Sequence, residues 1–287
     1  MLKSIHIQLL FYQVANATLA YSKSLLTTDR RQNMISCETL RSISIGSIIR
    51  TEAPKRRWNY ASYKSHNGEK EQLLDVKSFG NEIDWFFVGI EIIAGKIYLK
   101  CIEKNPILSL NLRGGFGCFY GEKELNSISR YFFKETGIIN VRSINADDVN
   151  RLLCVKIQTK NKWYTFKQGE YSPKSYSKHR HENNGRRVRN SAYFYEETEL
   201  PQHFANGIIF IDKPYWLASR LVSVERDVAS FGIGKVTEKM VNMENILFDS
   251  TGVSNTSKGC IRSVICIDPE KFSLKKISEN IFRLKKN

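Results

Sequence analysis

Apolar residues along this chain fall into short runs of strand length, separated by polar turns, with a few stretches at helical spacing. Residues 43–49 predict a strand. The longest apolar region, residues 84–102, is broken at Gly89 and at Ala94-Gly95. It predicts an apolar helix followed by a strand from Lys96. In that strand Ile97, Leu99 and Cys101 alternate with Lys96, Tyr98 and Lys100, so one face is apolar and the other polar. A further strand over residues 107–112 ends in Arg113-Gly114-Gly115-Phe116-Gly117. This run lacks the spacing of a phosphate-binding loop, and its glycines read as strand crowding or a bulge. Residues 122–136 predict an amphipathic helix with Leu125, Ile128, Phe132 and Phe133 on one face and Gly137 at the C-cap. Two strands, 151–157 and 162–167, follow around the turn Thr159-Lys160-Asn161.

The remaining pattern is less regular. Residues 207–211 predict a strand, and Asp212 as N-cap with Pro214 in the first turn predicts a helix to Ser223. A second helix is expected over 236–246, a strand over 260–267, and a last helix from Asp268-Pro269 to Phe282. This mixture indicates an α+β protein, with mixed antiparallel sheets and packed helices, rather than a doubly wound sheet. It divides into an organellar transit peptide or N-terminal extension (1–33), a first α+β half (34–170), a basic loop or linker (171–205) and a second half (206–287).

The 287 residues are 41% hydrophobic and 25% charged, a globular composition that excludes a disordered tail, a collagen-like rod and a coiled coil. No run of about 18 apolar residues occurs, so no spanning helix is predicted. Six cysteines, at 37, 101, 118, 154, 260 and 266, form no CxxC pair and fall mostly in apolar runs. They read as reduced, buried thiols rather than zinc ligands. His179 and His181 are next-but-one neighbours without a companion ligand cluster, so no metal is predicted there. Residues 1–28 contain no acid, two lysines and several Ser/Thr, the composition of a mitochondrial or plastid transit peptide.

Charge adds most to the functional reading. With 44 Lys+Arg against 29 Asp+Glu the net charge is +15, which points to a polyanionic partner, nucleic acid before an anionic membrane surface. Residues 156–189 hold ten Lys/Arg and two acids, or +8, with Trp163, Tyr164, Phe166, Tyr171 and Tyr176 interleaved. Basic groups neutralise phosphates and release counterions, while rings stack on unpaired bases. The candidate nucleic-acid contacts in this segment are Lys156, Lys160, Lys162, Trp163, Tyr164, Lys167, Lys178, Arg180, Arg186, Arg187 and Arg189. Lys55, Arg56, Arg57 and Trp58 add an exposed basic-aromatic loop, and Lys96, Tyr98 and Lys100 a polar strand face.

The run Phe87-Val88-Gly89-Ile90-Glu91-Ile92-Ile93-Ala94-Gly95, followed by Lys96-Ile97-Tyr98-Leu99, resembles the LAGLIDADG homing endonuclease and maturase family. The resemblance covers roughly residues 84–167. It implies a motif helix packed on a partner copy through small residues, strands forming a saddle on nucleic acid, and two αββαββ halves. Ala94 occupies the position of the family's metal-binding acid, and a second copy near Tyr215-Trp216-Leu217-Ala218-Ser219 puts Val224 there. Alanine cannot hold the Mg²⁺ that activates water in double-strand cleavage. The resemblance therefore implies a degenerate member that keeps the binding surface and has lost the chemistry.

The expected function is non-catalytic nucleic-acid binding, RNA before DNA, within an organellar ribonucleoprotein such as a ribosome or an intron complex, with no cofactor. One alternative is an active Mg²⁺-dependent endonuclease using Glu91, Glu225 or Asp227. Another is a secreted, basic, toxin-like enzyme with paired cysteines.

Overall fold

Two sheets meet along a corner in this protein, and one long helix packs into the core they share. The computed structural model describes residues 43–54, 80–135, 137–153, 206–225, 228–237, 241–242, 246–249 and 255–287. In chain order the described elements begin with β1 (Ile48–Glu52), β2 (Glu82–Ile93), β3 (Lys96–Glu103), β4 (Leu108–Arg113), α1 (Gly114–Phe133), β5 (Ile138–Ser143) and α2 (Ala146–Leu153). After residue 205 come α3 (Asn206–Ile209), β6 (Tyr215–Glu225), β7 (Val228–Val236), β8 (Val241–Asn242), β9 (Ile246–Asp249) and β10 (Thr256–Ile261). The last are β11 (Ser263–Ile267), β12 (Phe272–Ser278) and β13 (Ile281–Lys286).

The first sheet has seven strands in the order β12-β13-β1-β2-β3-β11-β5, and the second has β4-β10-β6-β7-β8 with β9 also on β7. Pairing is antiparallel except for β1 with β13 and β10 with β6. The protein is thus α+β with mixed sheets, and far richer in strand than the apolar pattern suggested. Each sheet takes strands from before residue 154 and after residue 205, so the two parts of the chain interleave instead of forming separate sheets.

The helix expected at the start of the 84–102 region is strand β2. Ile83, Trp85 and Phe87 point into the core while Asp84, Phe86 and Val88 are half-buried on the other face, so both faces carry apolar residues. A strand covered on both sides reads as a continuous apolar run, which is why periodicity could not separate it from a buried helix. Its end is a two-residue hairpin turn in which Ala94 and Gly95 both have positive φ, 50° and 78°. That sign at both central residues is the backbone of the tight hairpin turn whose twist suits flanking strands. The position compared with the family's catalytic acid is therefore a hairpin turn, and the second copy at Tyr215–Ser219 lies in strand β6. Neither segment forms the helix that an αββαββ half requires.

Other expectations shift likewise. The helix expected over 212–223 is β6, the described residues of that over 236–246 include the end of β7, all of β8 and the start of β9, and that over 268–282 is the β12–β13 hairpin. The expected strand 207–211 begins as the short helix α3, and residues 151–153 of the expected strand 151–157 end helix α2. The strand 260–267 is divided at Arg262 into β10 and β11. Strands β3 and β4 stand where strands were expected, and residues 162–167 lie outside the described residues.

Helix α1 does carry Leu125, Ile128, Phe132 and Phe133 inward as predicted, but it starts at Gly114, inside the glycine-rich run. Gly117 and Gly121 lie one turn apart against the second sheet. A Cβ on Gly117 would stand 2.8 Å from Leu247 Cδ1, and one on Gly121 would overlap Ile233 Cδ1. Close helix–sheet approach explains these glycines. The core joins α1 to both sheets through residues such as Trp85, Leu110, Leu112, Trp216 and Phe282. Trp85 meets Phe133 edge-on at 5.0 Å between ring centroids. The buried indole N–H groups are satisfied, Trp85 donating to Thr51 Oγ1 and Trp216 to the Leu110 carbonyl, both at 2.9 Å. A second cluster, including Ile102, Val149, Ile209, Tyr215 and Val264, covers the opposite face of β3 and β11 with α2 and α3.

Candidate nucleic-acid interface

The polar face expected on β3 is largely buried. Lys96, at the hairpin end, is exposed and lies 3.7 Å from Glu270 Oε2. Tyr98 and Lys100 are only 8% and 6% exposed, and so cannot form a saddle with Lys96. The alternation that suggested a solvated face is instead a central strand, and at Lys100 its polar position is covered by Asp148 of α2.

Lys100 is held there by charge. Its Nζ lies 2.6 Å from Asp148 Oδ1 and 3.1 Å from Glu91 Oε2. Arg142 on β5 grips Asp148 through two hydrogen bonds, and Asn140 Nδ2 donates to Glu91 Oε1 at 2.8 Å. Asp148 is also the third helical residue of α2. Its backbone N–H donates to Asn145 Oδ1 and its Oδ2 accepts from the Asn145 N–H, each at 3.0 Å, a reciprocal capping arrangement. Burial alone would raise the Asp148 pKa, but hydrogen bonding and charge from Arg142, with Lys100, outweigh it and bring the value to about 2. Burial also opposes the Arg142 charge, yet its bonds to Asp148 prevail and raise its pKa. Cys266, across from Lys100 on β11, has its thiol pushed up to about 12, first by burial and then by Glu91. This cluster is balanced in charge and fastens α2 to the sheet.

Of the acids in the endonuclease alternative, Glu91 is thus engaged by Lys100 and Asn140. Glu225 ends β6 in the other sheet, and Asp227 lies outside the described residues. Among the described residues no group of three or more His, Cys, Asp or Glu is gathered as metal ligands. Cys101 and Cys266 are buried and Cys260 is half-buried, and none of the three is in a disulfide. An open groove of about 770 Å³ beside Arg50, Glu82, Asp84, Asn105 and Lys213 contains opposing charges that already pair, Arg50 bonding Asp84 at 2.7 and 3.1 Å.

The basic surface that the structure does display was not expected. Residues 271–287 hold six Lys/Arg and one acid, Glu279, and they form the β12–β13 hairpin at one edge of the seven-stranded sheet. Phe272, Phe282 and Leu284 point into the core, while Lys271, Lys275, Lys276, Arg283, Lys285 and Lys286 are exposed. Lys275 stands directly across from Arg283. Arg283 pairs with Glu82 at 2.8 Å and Lys286 with Glu135 at 3.8 Å. Among the described residues no carboxylate pairs with Lys271, Lys275, Lys276 or Lys285. The signal was present as two period-2 stretches, Phe272-Ser273-Leu274-Lys275 and Phe282-Arg283-Leu284-Lys285, around the polar Ser278-Glu279-Asn280.

Lys55, Arg56, Arg57, Trp58 and all the candidates from Lys156 to Arg189 lie outside the described residues. No helix among the described residues is long and apolar enough to cross a membrane. Compared with protein-family models, with curated proteins and with solved structures, the chain matches none.

Proposed function

We propose that the protein binds nucleic acid, RNA before DNA, as a non-catalytic part of a ribonucleoprotein. The observation that carries this reading is the β12–β13 hairpin, whose Lys271, Lys275, Lys276 and Lys285 project into solvent with no carboxylate partner among the described residues. Lysines on an edge strand also discourage sheet-to-sheet association. Here, however, the cations occupy both strands of the hairpin and extend beyond the edge strand. The hairpin and residues 156–189 hold five and eight, respectively, of the fifteen net positive charges. Basic groups so concentrated bind a phosphate backbone by displacing its counterions. RNA is favoured because Trp163 and Tyr164 lie among the basic residues of the second segment, a composition suited to unpaired bases. The hairpin is part of a wide sheet and suits contact with a backbone better than entry into a groove.

A second reading has one observation in its favour. Glu91, Asp148 and Lys100 come together as two carboxylates around a lysine, the residue types of Mg²⁺-dependent nucleases. Both carboxylates are already bonded to protein groups, and for that reason binding without cleavage is preferred.

The test is a salt series with labelled single-stranded RNA, structured RNA and duplex DNA, with and without Mg²⁺, on the wild type and on a Lys275→Ala/Lys276→Ala/Lys285→Ala variant. Wild-type binding should weaken steeply with salt and leave the nucleic acid intact. The variant should bind more weakly, with a log–log salt slope shallower by about 2, since each lost phosphate contact removes about 0.7–0.9. An unchanged slope removes the hairpin from the interface. Mg²⁺-dependent cleavage lost in Glu91→Ala establishes the second reading.

A further inference from the structure

Helix α1 ends against the basic hairpin. Lys134 closes its last turn, its N–H donating to the Arg130 carbonyl at 3.1 Å, and the chain then runs across the end of β12–β13 away from the hairpin turn. The Gly137 carbonyl accepts from the Asp268 N–H at 2.9 Å. A Cβ on Gly137 would stand 2.6 Å from the Phe272 ring and 3.0 Å from Lys271 Cβ, and its φ of 86° is one that glycine adopts freely. Glu135 reaches Lys286 on β13 at 3.8 Å. The last turn of α1 and the lysines at this end of the hairpin are therefore neighbours on one surface.

Tyr131 belongs to that last turn and is 39% exposed. Among the side chains described it is the one exposed aromatic. A single exposed tyrosine is ordinary on a protein surface, and its setting is what distinguishes this one. Lys134, three residues on, lies on the same side of the helix. Among the described residues no carboxylate pairs with Lys134 or Lys271. The Lys286–Glu135 pair is 57% exposed on both sides, so it holds weakly and a phosphate can take the place of the carboxylate. Arg130 and Lys134 also offset the partial negative charge at the helix C-terminus, which would otherwise repel a phosphate. The buried Phe132 ring meets Tyr131 edge-on, with 5.5 Å between centroids and 78° between planes, and so braces the phenol before any ligand arrives.

We infer that Tyr131 is a stacking seat for an unpaired base, with the phosphates on either side of that base held by Lys134 and Lys271. The seat rests on the proposed nucleic-acid binding and adds the form of the ligand, a single strand at this surface. A phenol ring offers its face to any base, so the seat selects unpaired bases over paired ones rather than one sequence over another. In a duplex the bases are already stacked on each other, and only the phosphates remain for the lysines. The two contributions are separable: the lysines set the salt dependence, and the tyrosine sets the preference for single strands.

Binding of a single-stranded pyrimidine oligoribonucleotide, and of the duplex it forms with its complement, is measured across a salt series for the wild type, Tyr131→Ala and Tyr131→Phe. Tyr131→Ala should bind the single strand roughly tenfold more weakly, the loss of one stacked base, with salt slope and duplex binding unchanged. Tyr131→Phe should match the wild type. Equal binding of the single strand by Tyr131→Ala and the wild type overturns the stacking seat but not the nucleic-acid reading, as does an equal loss on single strand and duplex. A wild type that binds neither overturns the nucleic-acid reading itself, and the seat with it. If Tyr131→Ala does not fold, the wild type is photocrosslinked to the same single strand carrying thiouridine. A crosslink at Tyr131 is expected, and crosslinks confined to other residues overturn the seat.

Discussion

Asp148 shows how one side chain can be committed to structure from several directions. It completes the cap of α2, takes both arms of Arg142 and neutralises Lys100, while only 3% of its own side chain remains exposed. Removing its charge leaves Arg142 without its carboxylate and Lys100 with Glu91 alone, one positive charge in excess in a largely buried site. The Asp148→Asn variant should therefore lose roughly 3–5 kcal/mol of stability, the range for a broken buried ion pair, as read by urea denaturation at pH 7. The pH dependence has a defined sign. Its folded pKa, about 2, lies below the ordinary 3.8, so its contribution is present above 3.8 and lost as pH falls through about 2. Acid unfolding of the wild type should show this loss, and the Asn variant should not. None of this was legible in the sequence, because Lys100 reads as a surface residue until α2 is placed over its face. Glu91 was legible only as a candidate acid of the endonuclease alternative, because its partners, Asn140 and Lys100, come from strand pairing that spacing alone does not reveal.

At the level of elements, legibility depended on how many faces each element buries. Helix α1 buries a stripe, so Leu125, Ile128 and Phe132 marked it, and only its glycine-rich start was missed. β2 buries both faces and was mistaken for a helix, whereas β12 and β13 alternate but were outweighed by the helix-start signal of Asp268-Pro269. The β2–β3 turn adds a local cost. Ala94 sits at φ 50°, a conformation that its Cβ disfavours and glycine adopts freely. A Cβ at the neighbouring Gly95 meets nothing within 4 Å, so the constraint at this turn is backbone conformation rather than crowding. Ala94→Gly should raise stability by about 1 kcal/mol without altering the strands, measurable as a higher urea midpoint at constant slope. A lower midpoint would mean that the alanine side chain contributes packing that outweighs the strain.

For the molecule as a whole, interleaved topology makes a stronger statement than any one contact. β1 lies between β13 and β2, joining early and late segments of the chain, and the corner at Glu103 and Arg262 ties the sheets a second time. α1 contributes Leu125 and Phe132 to a core that includes Trp85 of the first sheet and Trp216 of the second. Neither sheet can then keep its buried face once the other opens, and the two should unfold in one transition. The four tryptophans, at 58, 85, 163 and 216, make this testable. With Trp58 and Trp163 replaced by phenylalanine, and Trp216 or Trp85 replaced in turn, one variant retains Trp85 and another Trp216 as its sole tryptophan. Each fluorescence transition is compared with the circular dichroism transition of the same variant, so any destabilisation by the substitutions cancels. Coincidence in both variants is expected. If the signal from Trp216 moves at lower urea than the dichroism while that from Trp85 does not, the second sheet unfolds on its own. The shared core would then be too weak to couple them, and the corner at Glu103 would act as a hinge between two independent bodies.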